Sequence, residues 1–454
     1  MQIVLAVSMQ LSLILSVIFT LYVLLIVVPF LRRRSRRSGE PGDLEWHLFV
    51  PCRDEQAVIG ETLEYLLESF PDTHVWVIDD DSDDDTAVIV AGWMEASPLV
   101  HLVQRRRPKA RTGKGDALNA AYHELIAWLG EGVDTERVIV GVVDADGRPA
   151  VGCLRAVAGP DYFGDSSVGG VQIVVRMMNR DVHTPLSSSG RLRNFFARTL
   201  VRMQDVEFRT VISAIQSARI YTGTVGMGGN GQFTRLSALQ SLDGGDGRAW
   251  RGSLLEDFEL GVHLLLAGWK NRFCPDTWVD QEALFDLRRY LTQRTRWGQG
   301  VMQCIRYWPA VWSSRKISNA GIVEMTYYFL QPWLTLIGTF VYPIPMIFLA
   351  TALLSNTEFL VDFLTRGGAA LLGIYLVAGL APFFLWGPVY IAKCERKQGY
   401  WRGVGWGWAY VLYVYAFYVT TWRAFGRLLT GRSGWAKTRR NSEAAIGQPV
   451  ARES

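Results

Sequence analysis

The chain has 454 residues, 49% of them apolar, and a formal net charge of +4. That length predicts two or three domains, and the apolar residues gather toward the two ends, which excludes a uniformly water-soluble chain. The five cysteines (Cys52, Cys153, Cys274, Cys304, Cys394) show no paired spacing, which excludes a zinc ribbon or disulfide framework and predicts reduced thiols. Much of the basic charge flanks apolar segments, which suits anionic lipid head groups rather than nucleic acid.

Residues 3–31 form an almost uncharged apolar run, followed at once by Arg32, Arg33, Arg34, Arg36 and Arg37. A cleavable signal peptide carries its positive charge before the apolar run, so residues 1–40 read as an anchor with its basic flank in the cytoplasm. From residue 41 the pattern changes. "HLFVP", "HVWVID", "VHLVQ" and "RVIVGVVD" read as strands, alternating with helical stretches such as "EQAVIGETLEYLLESF" and "DALNAAYHELIAWL". This alternation predicts βαβ units on a mostly parallel, Rossmann-like sheet over residues 41–300, with ligands beyond the carboxyl ends of the strands.

At the second strand end "VIDDDSDDDT" crowds six aspartates behind an apolar run. An EF-hand loop would require Gly at position 84 and Glu at position 90, where Asp84 and Val90 stand. The remaining readings are an acidic turn capping the next helix, a grip on a nucleotide's base and ribose, or a hold on a divalent ion. "VVDADG" places Asp144 and Asp146 where they can converge on one hard cation. Between the two lies "RTGKGDALNAA", which departs from a Walker loop at Pro108 and Gly115; Lys114 at a helix start suits a phosphate or base contact.

"GTVGMGGNGQFTRLSAL" reads as a Gly-rich turn entering a helix. In "LLEDFELGVHLLLAGWK", Glu256 and Asp257 open an apolar-faced helix, where they either complement its dipole or serve as a general base. "LTQRTRWGQG" offers Gln293, Arg294, Arg296 and Trp297, suited to an interfacial helix or to pairing with a leaving diphosphate and stacking on a sugar. An interfacial segment is predicted over 301–321. Apolar blocks at 322–354, 367–392 and 405–429 predict C-terminal transmembrane helices within 322–430, with three or four crossings, ahead of a basic and polar tail over 431–454.

The order of these motifs, an acidic strand end, D-x-D, Glu-Asp and Q-x-x-R-W, resembles that of the processive inverting glycosyltransferases of the cellulose, chitin and hyaluronan synthase superfamily, glycosyltransferase family two. "VPCRDE" at residues 50–55 resembles that family's first-strand signature. The resemblance implies a cytoplasmic α/β GT-A domain joined to an α-helical transmembrane region of a multi-pass membrane protein. It implies that Asp80, with Arg53, Glu55, Lys114 and Asp144, contacts the nucleotide. Asp146, with Asp144, would hold Mg2+ or Mn2+ through the diphosphate, and Asp257, following Glu256, would be the catalytic base. Gln293, Arg294, Arg296 and Trp297 would line the acceptor end and the leaving UDP. The implied partners are a UDP-sugar, a polysaccharide acceptor and membrane lipid; the runner-up is a single transfer onto a lipid. "GGNGQF" departs from the cysteine-bearing turns of the polymer synthases, and no segment resembling a cyclic-di-GMP receptor follows the last span. A transporter or nucleotide-sensing scaffold is the rival of another class. The apolar blocks carry few charges for a transport path, Glu324 being the borderline case.

Overall fold

A computed structural model describes residues 2–186, 189–355, 358, 361–362, 365–366 and 368–432; the predicted tail beyond 432 lies outside them. Eight strands form one sheet: β1 (Glu45–Cys52), β2 (His74–Asp80), β3 (Val100–Arg105), β4 (Val138–Val142), β5 (Arg148–Pro149), β6 (Val168–Met177), β7 (Gln232–Arg235) and β8 (Lys270–Gln281). Their spatial order is β3-β2-β1-β4-β7-β6-β8-β5. β1, β2, β3 and β4 run parallel, while β7 enters antiparallel between β4 and β6. The predicted mostly parallel sheet is therefore present.

β4 reads "VIVGV" and is buried along its whole length, as a strand covered on both faces must be. The helix Ile59–Ser69 covers one face with Ile59, Leu63 and Leu66, and the helix Lys114–Leu129 covers the other with Leu118, Tyr122 and Leu125. The chain reverses its order of strand addition between β1 and β4, so the crevice at their carboxyl ends is a topological switch point, where ligands bind in open α/β sheets.

Away from that edge, one sheet face carries His47 on β1, His74 on β2 and His101 on β3. The His47 and His74 rings stack at 5.2 Å, and His74 Nδ1 lies 3.0 Å from His101 Nε2. Burial, reinforced by the neighbouring imidazoles, lowers His47 to about 3 and His101 to about 4. The unfolded chain takes up these protons near the ordinary value of 6.5 and the folded chain only lower, so stability falls as pH drops from 6.5 toward 4. Thermal unfolding of His101→Phe is expected to show a smaller loss of Tm between pH 7 and pH 5 than the parent chain.

Among the described residues, two helices are long and apolar enough to cross a membrane, Gln10–Arg32 and Leu376–Lys393. The predicted 322–354 block divides into the helices Asn319–Val341 and Pro343–Ser355, and 405–429 lies within Tyr400–Leu429. In the 301–321 segment the short helix Trp308–Ser313 leaves Trp308 and Trp312 exposed. All five cysteines are free thiols.

Candidate active site

Parallel neighbours end at the same sheet edge, so the turns leaving β2 and β3 face each other. The β3 turn reads "RRRPKAR", and it neutralises the aspartates of the β2 turn. Arg105 pairs with Asp80, Arg106 with Asp79 (2.9 Å), Arg107 with Asp81 (2.7 Å) and Arg111 with Asp83 (2.7 Å). Asp84 accepts from the backbone N–H of Thr86 (3.0 Å), the first residue of the helix Thr86–Ala96, whereas the N-cap residue, Asp85, makes no side-chain cap bond. Asp80 is buried, and burial raises its pKa against the pull of the Arg111 backbone N–H, Arg105 and Arg53. Its Oδ1 receives Arg105 and the Arg111 N–H, while among the described residues its Oδ2 has no hydrogen-bond partner. Arg53 and Glu55, on the turn after β1, line the same cleft as Asp80.

Across the switch point, Lys114 reaches Asp144 Oδ1 (2.8 Å), the Gly229 carbonyl (2.7 Å) and Glu256 Oε1 (3.9 Å). Burial lowers the pKa of this ammonium, but Asp144 and Glu256 outweigh that effect and hold it charged. The "GGNG" turn is fixed by Gln172, whose Oε1 accepts the Gly228 N–H (2.7 Å) and whose Nε2 donates to the Asn230 carbonyl (2.9 Å). Asn230 Oδ1 in turn accepts the Asp144 N–H (3.2 Å). A Cβ at Gly229 would stand 3.1 Å from Asp257 Oδ2 and 3.2 Å from Lys114 Nζ. Gly229→Ala is therefore expected to lower kcat/KM by about tenfold to a hundredfold, because displacing reacting groups by a fraction of an ångström has effects of that order. The fold should remain intact by circular dichroism; undiminished kcat/KM would refute the close approach.

Glu256 and Asp257 open the helix Glu256–Ala267 and are both buried. Asp257 Oδ1 accepts the Phe258 N–H (2.7 Å). Burial raises both carboxyls; the mutual repulsion of the two acids pushes Glu256 further, to about 7, and Asp144 adds to the rise of Asp257. Lys114 opposes both shifts, and Arg296 opposes that of Glu256. Carboxyls raised toward neutrality in a cleft are able to exchange a proton with a bound hydroxyl.

Gln293, Arg294, Arg296 and Trp297 lie on the helix Leu287–Cys304 and line the same cavity. Arg294, however, is turned to a protein partner. Its Nη1 donates to Glu207 Oε1 (2.6 Å), and its guanidinium lies 4.4 Å from the Trp297 ring. Glu207 opens a π-helical turn, Glu207–Ile212, and also accepts the Tyr413 hydroxyl (2.5 Å). Asp146 likewise stands back. It is buried, its Oδ2 accepts the Glu282 N–H (2.9 Å), and it is not among the residues lining the cavity, unlike Asp144.

The cavity, about 1110 Å³, runs from Arg53, Asp80, Lys114 and Asp144 past Glu256 and Asp257. It continues between Leu15, Phe19, Tyr327, Phe383 and Phe417 of the apolar helices. One continuous space thus has a charged end and an apolar end.

The sequence over residues 44–300 matches the model described as glycosyltransferase like family 2, which spans more than half of the chain. The chain belongs to that family. The chain is 31% identical over 266 residues to a beta-monoglucosyldiacylglycerol synthase of Synechocystis sp., covering 58% of this chain and 49% of the relative. It is 24% identical over 297 residues to the probable glycosyltransferase YdaM of Bacillus subtilis, covering 64% and 63%. It therefore spans between about half and less than two thirds of these relatives. Among solved structures, the mannosyltransferase PcManGT from Pyrobaculum calidifontis, in complex with GDP-Man and Mn2+, shares the fold at a TM-score of 0.56. That match covers 94% of this chain and 99% of the other at 19% identity. The family-two assignment and the GT-A-like domain expected from the motif order hold. The narrower polymer-synthase branch is not what the named relatives share.

Three groups of the site have no role in the sequence reading: the Arg105–Arg111 belt, the Gln172–Asn230 brace and Glu207. A basic run of matching length behind the adjacent strand is the sequence signal for the first. Among the described residues no three His, Cys, Asp or Glu side chains form a self-sufficient metal cage. The Asp144–Asp146 turn brings one carboxylate, Asp144, to the cavity wall with Asp146 set behind it, and one carboxylate is a protein share Mg2+ takes when substrate phosphates complete its shell. The donor set therefore fits a divalent ion that arrives with a diphosphate.

Proposed function

We propose that this chain transfers one sugar from a UDP-sugar, with glucose first among the candidates, to the hydroxyl of a lipid such as diacylglycerol. The product is a β-linked glycolipid made at a membrane surface. The observation that carries this reading is the single cavity joining the Lys114–Asp144–Asp257 edge to apolar helices, because an acyl chain needs an apolar wall and a diphosphate a charged one. The glucosyldiacylglycerol synthase relative supports the lipid acceptor over the polysaccharide. The two apolar helices, the five arginines within residues 32–37 and the exposed Trp308 and Trp312 support membrane attachment with the α/β domain on the cytoplasmic side.

In this reading Asp80, Arg53 and Glu55 face the nucleoside, and Asp144 would hold Mg2+ or Mn2+, which supplies charge neutralisation at the diphosphate, with Asp146 joining it only if the turn shifts toward the cavity. Asp257 takes the proton of the acceptor hydroxyl, whose oxygen attacks the anomeric carbon from the side opposite the diphosphate. The bond to the diphosphate breaks with its electron pair, so a single displacement inverts an α-linked donor to a β-linkage. Lys114 and Arg296 meet the developing negative charge. Gln293 and Trp297 border the acceptor. The test is the full chain in vesicles containing diacylglycerol with radiolabelled UDP-glucose. A single chromatographic glycolipid species is expected; a glycosidase-sensitive polymer would restore the processive reading, and absence of transfer with a panel of UDP-sugars would overturn both.

A further inference from the structure

Where the cavity passes from its charged end to its apolar end stands one cation that the sugar-transfer chemistry does not use. Arg219, on the helix Ser213–Thr222, is only 4% exposed yet lines the cavity. Its Nε donates to Glu324 Oε1 (2.7 Å), and its guanidinium lies 4.4 Å from the Tyr328 ring. Thr224 occupies the other carboxylate oxygen of Glu324 (2.9 Å). Among the described residues the two terminal nitrogens, Nη1 and Nη2, have no hydrogen-bond partner. Neither nitrogen is sealed inside the protein, so both open onto the cavity, and donors set in this partly apolar wall are placed to receive acceptor oxygens.

Its position shows which molecule would bring them. A Cβ built at Gly226 would lie 3.0 Å from Arg219 Nη1 and 3.6 Å from the Phe258 ring, and Phe258 directly follows Asp257. The Phe258 ring also packs 4.8 Å from Tyr328, the ring beneath the guanidinium. Arg219 therefore stands one side chain away from the base, on the apolar side. Its charge is matched by Glu324, so the pair as a whole is neutral. A neutral pair with spare N–H donors selects uncharged oxygens; a phosphate would bring a negative charge beside the half-buried Glu324 carboxylate.

We infer that Arg219 is an acceptor-binding residue whose Nη groups hold an ester carbonyl of a neutral glycerolipid, thereby presenting its free hydroxyl to Asp257. This inference rests on the lipid-acceptor reading above and goes beyond it by naming the acceptor's recognised group and its charge. It makes Glu324 the group that excludes anionic lipids, and it accounts for a charged residue within an otherwise apolar helix.

The experiment compares two neutral acceptors of equal chain length in detergent micelles with the full chain: a diacylglycerol, which has ester carbonyls, and the dialkylglycerol ether, which has the same hydroxyl and none. The readout is the ratio of their kcat/KM values, from which the concentration of folded enzyme cancels. The parent chain is expected to prefer the ester by about tenfold or more, the usual worth of a hydrogen bond to a charged group. Arg219→Met paired with Glu324→Met, which removes both charges together, should bring the ratio to about one by raising KM for the ester alone. Glu324→Gln should gain transfer to phosphatidylglycerol, which carries hydroxyls and a negative charge. Equal use of ester and ether by the parent chain, or an unchanged ratio in the double variant, overturns the role of Arg219 while leaving lipid glycosylation standing. Transfer to neither lipid, with polymer formed instead, overturns the lipid-acceptor reading itself.

Discussion

Asp257→Asn is expected to lower kcat by about a thousandfold, within the range contributed by a positioned general base and equivalent to about 4 kcal/mol of barrier. The loss is electrostatic as well as positional. Asp257 is buried beside Asp144, within reach of Lys114 and with its Oδ1 fixed by the Phe258 N–H. Asparagine keeps the shape and the hydrogen-bond acceptor but cannot take a proton. Donor affinity, followed by UDP displacement, should change little, because the nucleoside edge at Asp80 and Arg53 is untouched. Wild-type turnover in Asp257→Asn would assign the base elsewhere, with Glu256 the first candidate. The pH profile separates the two acids further. Both carboxyls have raised pKa values, Glu256 to about 7, so the acid limb of kcat/KM should lie well above the ordinary carboxylate range, with activity lost as pH falls through it. Lys114→Met removes the cation that favours the ionised forms and should move that limb upward. Glu256→Gln removes a like charge and should move it downward.

How legible each element is in the sequence depends on how it is specified. The first four strands and their helices are readable because β1, β2 and β4 are short apolar runs bounded by turns, and "DALNAAYHELIAWL" carries helical spacing. β6, β7 and β8 are not, for physical reasons. β7 is four residues long and begins with Gln232, buried without a hydrophobic side chain, while β8 mixes Lys270, Asn271, Asp276 and Asp280 along a strand with a register shift. The "GGNGQF" turn therefore reads as running straight into a helix, where a buried antiparallel strand intervenes. The aspartate cluster stands out in the sequence, but the motif alone invites a ligand for every carboxylate. Most of them are answered by Arg105, Arg106, Arg107 and Arg111, a pairing created by the parallel register that sets Asp80 opposite Arg105. Among the described residues of that run, Asp80 alone lines the cleft. Glu256 and Asp257 are legible because a helix start fixes its first two side chains on a known edge.

Arg294 tests how far a motif's order reveals the job of each member. Arg294→Met is expected to destabilise the fold by about 3–5 kcal/mol, the usual consequence of removing one partner of a buried ion pair. Among the described residues Glu207 would be left with the Tyr413 hydroxyl alone to answer a carboxylate that is almost wholly buried. The pair also ties three helices: Glu207 lies in the π-helical turn, Arg294 on Leu287–Cys304 and Tyr413 on Tyr400–Leu429. Breaking it should therefore lower Tm for the whole chain rather than loosen one segment. Pairing Arg294→Met with Glu207→Gln removes both charges and should recover most of the lost Tm, since a neutral replacement leaves no buried charge unanswered. Donor kinetics in that folded double variant then decide the assignment. If KM for the UDP-sugar stays within about twofold of the parent, Arg294 serves Glu207 and the diphosphate belongs to Lys114 and Arg296. A large rise in KM with Tm restored would return Arg294 to the leaving group, and the 2.6 Å contact with Glu207 would then describe the site before the donor arrives.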